Sequence, residues 1–262
     1  MPSLAGGQLI HLRRTQHQTL SVYQQGDIRQ LRVDDAAIQS AIDLNAPAHL
    51  LLPYTQAMMA MLLFQPVPAR VLMLGLGGGD MVRFLHHHLT DIAIRAVEID
   101  REVITLARDY FELPERRCEY IEEDASRFIQ HDHGIYDTLL VDIYDSNGPP
   151  TMFHHWEFFL HCQRLLSPQG VLALNLITED EKLFRDIIHK VRETFGYLSL
   201  CLKIPGHKNV IIFAFNKKPA RVDRAGLFDY ATELSGRYDL DFTALVENLF
   251  TTNPLNAGEL IL

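Results

Sequence analysis

The chain has 262 residues, 47% of them hydrophobic and 22% charged. That is enough for one large α/β domain, or a domain with a small appendage, and it excludes disordered, collagenous and staple-dependent small proteins. Twenty-four Lys and Arg against 33 Asp and Glu give a net charge of −9 with the basic residues scattered, which argues against a nucleic-acid footprint and suits a cationic small substrate.

The opening MPSLAGGQLIHLRRTQHQ lacks the apolar core of a secretory signal, and no stretch approaches the ~18 apolar residues of a membrane span. The expectation is a cytoplasmic protein that meets neither membrane nor nucleic acid. Cys118, Cys162 and Cys201 are widely separated and show no C-x-x-C spacing, so neither a disulfide framework nor a cysteine-rich zinc site is expected.

In chain order, Thr19–Tyr23 and Ile28–Val33 are short alternating runs joined across Gln25-Gly26-Asp27, which predicts a β-hairpin within a small N-terminal appendage, residues 1–46. Pro53 then opens YTQAMMAMLLF, a helix whose Met58, Met59 and Met61 are packing residues. Strands follow at 71–75, 94–99, 118–123, 136–142 and 170–176, with helices such as REVITLARDYF and TMFHHWEFFLHCQRLL between them. Strands alternating with helices predict a parallel sheet covered on both faces. The last pair, YLSLCLKI and NVIIFAF, is separated only by Pro205–Lys208 and is therefore antiparallel. The expected fold is α/β, a doubly wound, mostly parallel seven-stranded Rossmann-like sheet of methyltransferase-like type, over a main domain of residues 47–262.

Three successive strand ends supply parts of one nucleoside pocket. Leu74–Asp80 (LGLGGGD) joins the first of these strands to a helix, so Gly75, Gly77, Gly78 and Gly79 allow a tight turn with bare amides against a ligand. Glu98 stands 19 residues beyond Gly79, where a carboxylate accepts both hydrogen bonds of a ribose diol. Asp124-Ala125 follows the third strand, where an acid accepts from an adenine amino group. The histidine clusters, including His86–His88, do not have chelating spacing and are expected to be solvated or packed, and Trp156, Phe158 and Phe159 are expected in a helix core.

The fourth strand ends in Asp142-Ile143-Tyr144-Asp145-Ser146-Asn147-Gly148-Pro149, a dense negative loop beside that pocket. This D-x-x-D-x-x-G-P pattern resembles the spermidine synthase family, the polyamine aminopropyltransferases. LGGGD at 76–80, VEID at 97–100, EEDA at 122–125 and VDDAAIQS at 33–40 are similar to further family segments, the last placing Gln39 at a nucleotide-contacting position. The resemblance spans roughly residues 19–215. It implies decarboxylated S-adenosylmethionine as donor, a di- or polyamine acceptor, methylthioadenosine as product, no metal, and a homodimer. Asp142 takes the base-like position, Asp145 holds the amine, and Tyr54 and Tyr144 line the amine channel.

Asp80 is expected to contact the donor's amine and, by charge repulsion, to disfavour the carboxylate of intact S-adenosylmethionine. The chain departs from the family at Met81, which replaces a glycine and narrows the approach to the sulfonium tail. It departs again at Gln56, which stands at a carboxylate position, and in a short Pro205–Lys208 loop to which Lys208 adds positive charge. Two rival readings remain: an S-adenosylmethionine-dependent methyltransferase on the same fold, and a retired relative that binds nucleotide without turnover. A nicotinamide dehydrogenase is disfavoured, because no hydride-transfer acid/base pair is visible and the closing hairpin is wrong for it.

Overall fold

The computed structural model describes residues 6–34, 37–143 and 148–262. The chain opens with four antiparallel strands, β1 (Gln8–Arg14), β2 (Thr19–Gln25), β3 (Ile28–Val33) and β4 (Ala37–Asp43), paired in that order. The expected hairpin is its middle pair. β1 escapes a periodicity reading because it is an exposed edge strand, with no buried face to impose alternation. Pro53 starts α1 (Pro53–Met58), but the helix tightens into a 3-10 segment over Met59–Leu63 instead of continuing as α. Met58, Met59 and Met61 are fully buried there.

The main unit then alternates: β5 (Arg70–Leu74), α2 (Asp80–His88), β6 (Ala93–Glu98), α3 (Arg101–Tyr110), β7 (Cys118–Glu122), α4 (Ala125–His131), β8 (Tyr136–Val141), α5 (Trp156–Leu165), β9 (Leu166–Ile177), α6 (Glu181–Thr194), β10 (Ser199–Lys203) and β11 (Asn209–Phe215). Its seven strands run β10-β11-β9-β8-β5-β6-β7, parallel from β9 through β7, with β11 antiparallel to both of its neighbours. The chain proceeds outward from β5 to β7 and returns on the other side of β5 as β8. That reversal opens a crevice at the carboxyl ends of β5 and β8, where ligands bind in such sheets.

Two further differences have local causes. The single helix expected from Thr151 is broken at His155, whose extended backbone separates a 3-10 turn, Thr151–His154, from α5. Trp156 is consequently 39% exposed against His189 and Lys190, while Phe158 and Phe159 are buried. β11 is followed by α7 (Arg224–Tyr238) and α8 (Phe242–Thr252), whose Leu227, Leu234, Val246 and Leu249 complete one face of the sheet. α4, α5 and α6 cover the other.

The N-terminal sheet is seated over the crevice by α3. Val103 and Leu106 of α3 pack with Leu20, Val22, Leu31, Val33 and Ile42. Asp100 caps α3 by accepting from the Glu102 amide at 3.0 Å, and its second oxygen accepts from the Thr15 hydroxyl at 2.6 Å. One buried carboxylate therefore starts a helix and tethers the turn after β1 beside the crevice.

Candidate active site

The glycine loop is closely fitted to its neighbours. Gly75 has φ +87°, and a Cβ there would lie 2.1 Å from the carbonyl oxygen of Asp142, so only glycine lets β5 and β8 end side by side. At Gly78 a Cβ would meet Ser40 at 2.8 Å, and at Gly79 it would meet Leu113 at 2.4 Å. The Ser40 hydroxyl accepts from the Gly78 amide at 2.7 Å, fastening the loop to β4.

Two cavities flank this loop. The larger, about 670 Å³, is bounded by Gln39, Gly75, Gly77, Glu98, Asp124, Ala125 and Asp142, with His17 and Gln18 from the turn after β1 at its edge. The smaller, about 500 Å³, is bounded by Tyr54, Gln39, Gly77, Asp142, Asn175, His207 and Asn209, with Ile38, Leu52, Ile143 and Ile177 as apolar wall. Val33, Gln39, Gly77, Asp142 and Ile143 belong to both, so Asp142 stands where they meet. Gln39 Oε1 is buried at this junction without a hydrogen-bond partner among the described residues.

Glu98 is held rigidly in the larger cavity. One carboxylate oxygen accepts from the Leu76 amide at 3.0 Å and the other from the Asp100 amide at 3.1 Å, and burial raises its pKa against the pull of these bonds. Asp124 accepts from the Arg127 amide at 3.0 Å and so caps α4 while bordering the cavity.

Asp142 accepts from Asn175 Nδ2 at 2.8 Å. Burial lifts its pKa to about 6; the Asn175 hydrogen bond and the nearby Tyr54 hydroxyl lower it, and the charge of Asp80 raises it. The Tyr54 hydroxyl donates its one hydrogen to the Gln39 carbonyl at 2.8 Å, and burial beside Asp142 and Asp80 pushes its pKa well above the ordinary value. A carboxylate with a pKa near 6 is suited to taking a proton at neutral pH.

Several expected positions do not reach the cavities. Gly78 and Gly79 are buried against β4 and Leu113. Asp80 faces inward, ion-paired to Arg83 at 2.9 Å and accepting from the Ala41 amide at 3.2 Å, so its charge is matched and it borders neither cavity. The first turn of α2 points this side chain beneath the loop, where the expected donor-selecting contact has no cavity to meet it. Met81 is likewise buried in the core and narrows no approach. Gln56 donates to the Leu50 carbonyl at 2.6 Å, and Lys208 pairs with Glu179, so neither presents a free group to the smaller cavity. Tyr144 and Asp145 lie outside the described residues.

Asn175, Asn209, His17 and Gln18 escaped the motif reading, while Ser40 closed the VDDAAIQS segment without being singled out. Of the four, Asn175 left a trace in the sequence, an amide within the otherwise apolar GVLALNL.

A seven-stranded α/β sheet of methyltransferase-like type, with a nucleoside-sized cleft at its switch point and a carboxylate between that cleft and a second cavity, defines a small-molecule group-transfer enzyme. Residues 51–225 match the spermine/spermidine synthase domain. A polyamine aminopropyltransferase of Chromobacterium violaceum is 34% identical over 93% of this chain and 94% of its own. The chain belongs to the spermine/spermidine synthase family. Among solved structures, a probable spermidine synthase from Corynebacterium glutamicum shares the fold at a TM-score of 0.74 and 18% identity, over 84% of this chain and 86% of that one. Human methyltransferase-like protein 13, solved with SAH, is 25% identical at a TM-score of 0.66, over 72% of this chain and 93% of that one.

Proposed function

We propose that this enzyme is a polyamine aminopropyltransferase that moves an aminopropyl group from decarboxylated S-adenosylmethionine to a di- or polyamine. The observation that carries the reading is Asp142, a carboxylate with a pKa of about 6 placed where a nucleoside-sized cavity meets a second one. Family membership supports it.

In this reading Glu98 holds the ribose diol with lone pairs its two backbone bonds leave free, Asp124 and Ala125 border the adenine, and Gly75 and Gly77 let the donor lie against the loop. Gln39 Oε1 needs a donor hydrogen, which the donor's or the acceptor's amine supplies. The acceptor enters along Tyr54 and the apolar wall of the smaller cavity. An alkyl ammonium, with a pKa near that of lysine, ~10.4, must lose a proton before it can attack. Asp142 accepts that proton, and the freed lone pair attacks the methylene beside the sulfonium. The C–N bond forms as the C–S pair returns to sulfur, and neutral methylthioadenosine leaves. The family resemblance gives Asp145 and Tyr144 parts in amine binding. We further place the protein in the cytoplasm, as a homodimer, with residues 1–46 an appendage to a catalytic domain of 47–262.

The resemblance to human methyltransferase-like protein 13 favours methyl transfer as the second reading. Calorimetric titration with decarboxylated and intact S-adenosylmethionine, followed by assay of methylthioadenosine release with a panel of amines, separates the two. Preference for the decarboxylated donor with amine-dependent methylthioadenosine release supports aminopropyl transfer. Preference for intact donor with S-adenosylhomocysteine as product overturns it.

A further inference from the structure

Two asparagines stand behind the Asp142 carboxylate. Asn175, 6% exposed near the end of β9, donates from Nδ2 to Asp142 Oδ1 at 2.8 Å. Asn209, the first residue of β11, donates from Nδ2 to Asn175 Oδ1 at 2.9 Å. The antiparallel register pairs Asn209 with Ile177 and Ile211 with Asn175, so the two amides are diagonal neighbours on one face of the sheet.

A side-chain amide has one donor end and one acceptor end. Reversing Asn175 would set oxygen against oxygen at Asp142 and nitrogen against nitrogen at Asn209, so each contact enforces the other. We propose that Asn175 and Asn209 are positioning residues, a two-amide relay that orients the Asp142 carboxylate for its work as a base. The proposal rests on the aminopropyl-transfer reading for its catalytic meaning, but the relay can be detected without catalysis.

Tyr54 from α1 and the charge of Asp80, buried at the start of α2, also act on Asp142, and His207 from the turn between β10 and β11 borders the same smaller cavity. The Tyr54 hydroxyl favours the charged carboxylate and Asp80 repels it. The Asn175 bond opposes the effect of burial, and a hydrogen bond to a charged group is strong enough to matter on the pH scale. Deleting it leaves the carboxylate ion less supported and its proton more tightly held.

The test is a carbon-13 titration of the Asp142 carboxyl by NMR in the protein without substrates, set beside the pH profile of kcat/KM for methylthioadenosine release. Asn175→Ala is expected to move the Asp142 titration upward by about one pH unit or more. Asn209→Ala is expected to move it in the same direction by less, since Asn175 remains but is free to turn. The acid limb of kcat/KM moves with each, while donor affinity stays constant. Ile177→Ala, which also enlarges the smaller cavity but lies off the relay, leaves the titration in place.

An unmoved titration in folded Asn209→Ala overturns the proposal even if Asn175→Ala does not fold. An equal shift in Ile177→Ala also overturns it, because a wetter cavity would then be the cause. A shifted titration in a protein that releases no methylthioadenosine with any amine would leave the relay standing and remove the aminopropyl-transfer reading instead.

Discussion

Asp80 and Arg83 form an ion pair at 2.9 Å with both side chains about 4% exposed. Arg83 also donates to the carbonyls of Gly78, of Phe111 at 2.8 Å and of Pro47 at 2.9 Å. One guanidinium thus ties the glycine loop to the segments on either side of it, and Asp80 neutralises the charge that this needs. Removing one partner of a buried pair strands the other, at a cost of about 3–5 kcal/mol. Urea denaturation should show losses of that size for Asp80→Asn and Arg83→Met, with the double variant losing less than their sum. Additive losses would mean that the pair is not coupled.

Glu98 uses both carboxylate oxygens to accept from backbone amides. Glu98→Gln turns an NH2 group against one of two N–H donors, so it should behave worse than its near-identical shape suggests. The expected loss in stability is roughly 1–3 kcal/mol, together with weaker binding of the nucleoside donor by calorimetry. Donor affinity equal to that of the parent would remove the ribose assignment.

Asp142 should show a conflict between stability and activity. Its folded pKa of about 6 lies above its ordinary value of 3.8, so folding favours the protonated acid. The stabilising effect is complete below about pH 4 and is lost as pH rises through about 6. Asp142→Asn, which cannot ionise, should therefore melt near the parent temperature at pH 4 and above it at pH 8, by the equivalent of about 1–2 kcal/mol after discounting for partial exposure. Its turnover should fall severely. Thermal melts across pH 4–8 check the sign, and a gap that opens toward acid would contradict it.

Gly75→Ala would place a methyl 2.1 Å from the Asp142 carbonyl oxygen at φ +87°. Both the paired ends of β5 and β8 and the position of Asp142 should suffer, so stability and turnover fall together. Gly206→Ala has φ +74° with open space around it and should cost only the left-handed backbone strain, roughly 1 kcal/mol. Comparing the two variants by denaturation and by methylthioadenosine release separates close packing from backbone strain.

The turn after β1 should matter to the donor although no motif marks it. Thr15→Val deletes the 2.6 Å bond to Asp100 and loosens the tether that keeps His17 and Gln18 at the edge of the larger cavity. Donor affinity should weaken several-fold, with the melting temperature lowered by the loss of about 1 kcal/mol.

The succession of strands and helices and the closing antiparallel pair were legible because they follow local rules, whereas the order of the strands across the sheet came only from the structure. Strands alternate with helices, a short Pro-Gly connection forces a hairpin, and the candidate acids Glu98, Asp124 and Asp142 stand at or just past strand ends. β1 was not legible, since an exposed edge strand has no buried face to leave a pattern. Asn209 was equally silent, because an asparagine at the start of a strand is ordinary until its partner on β9 is known.

Asp80 marks the boundary between these two kinds of information. Its place after three glycines suggested a group aimed at a ligand, yet the direction of a side chain at a helix start depends on where the helix is anchored, and Arg83 with the Ala41 amide draws it beneath the loop. Motif and periodicity were sufficient for the fold class and the family, because those depend on spacing along one chain. The hold of Asn175 and Asn209 on the Asp142 carboxylate and the bond of Asp80 to the Ala41 amide depend on contacts between residues 33 to 39 positions apart in sequence, and the junction of two cavities at Asp142 joins it to Gln39 and Tyr54 across longer spans still. Only packing brings those groups together.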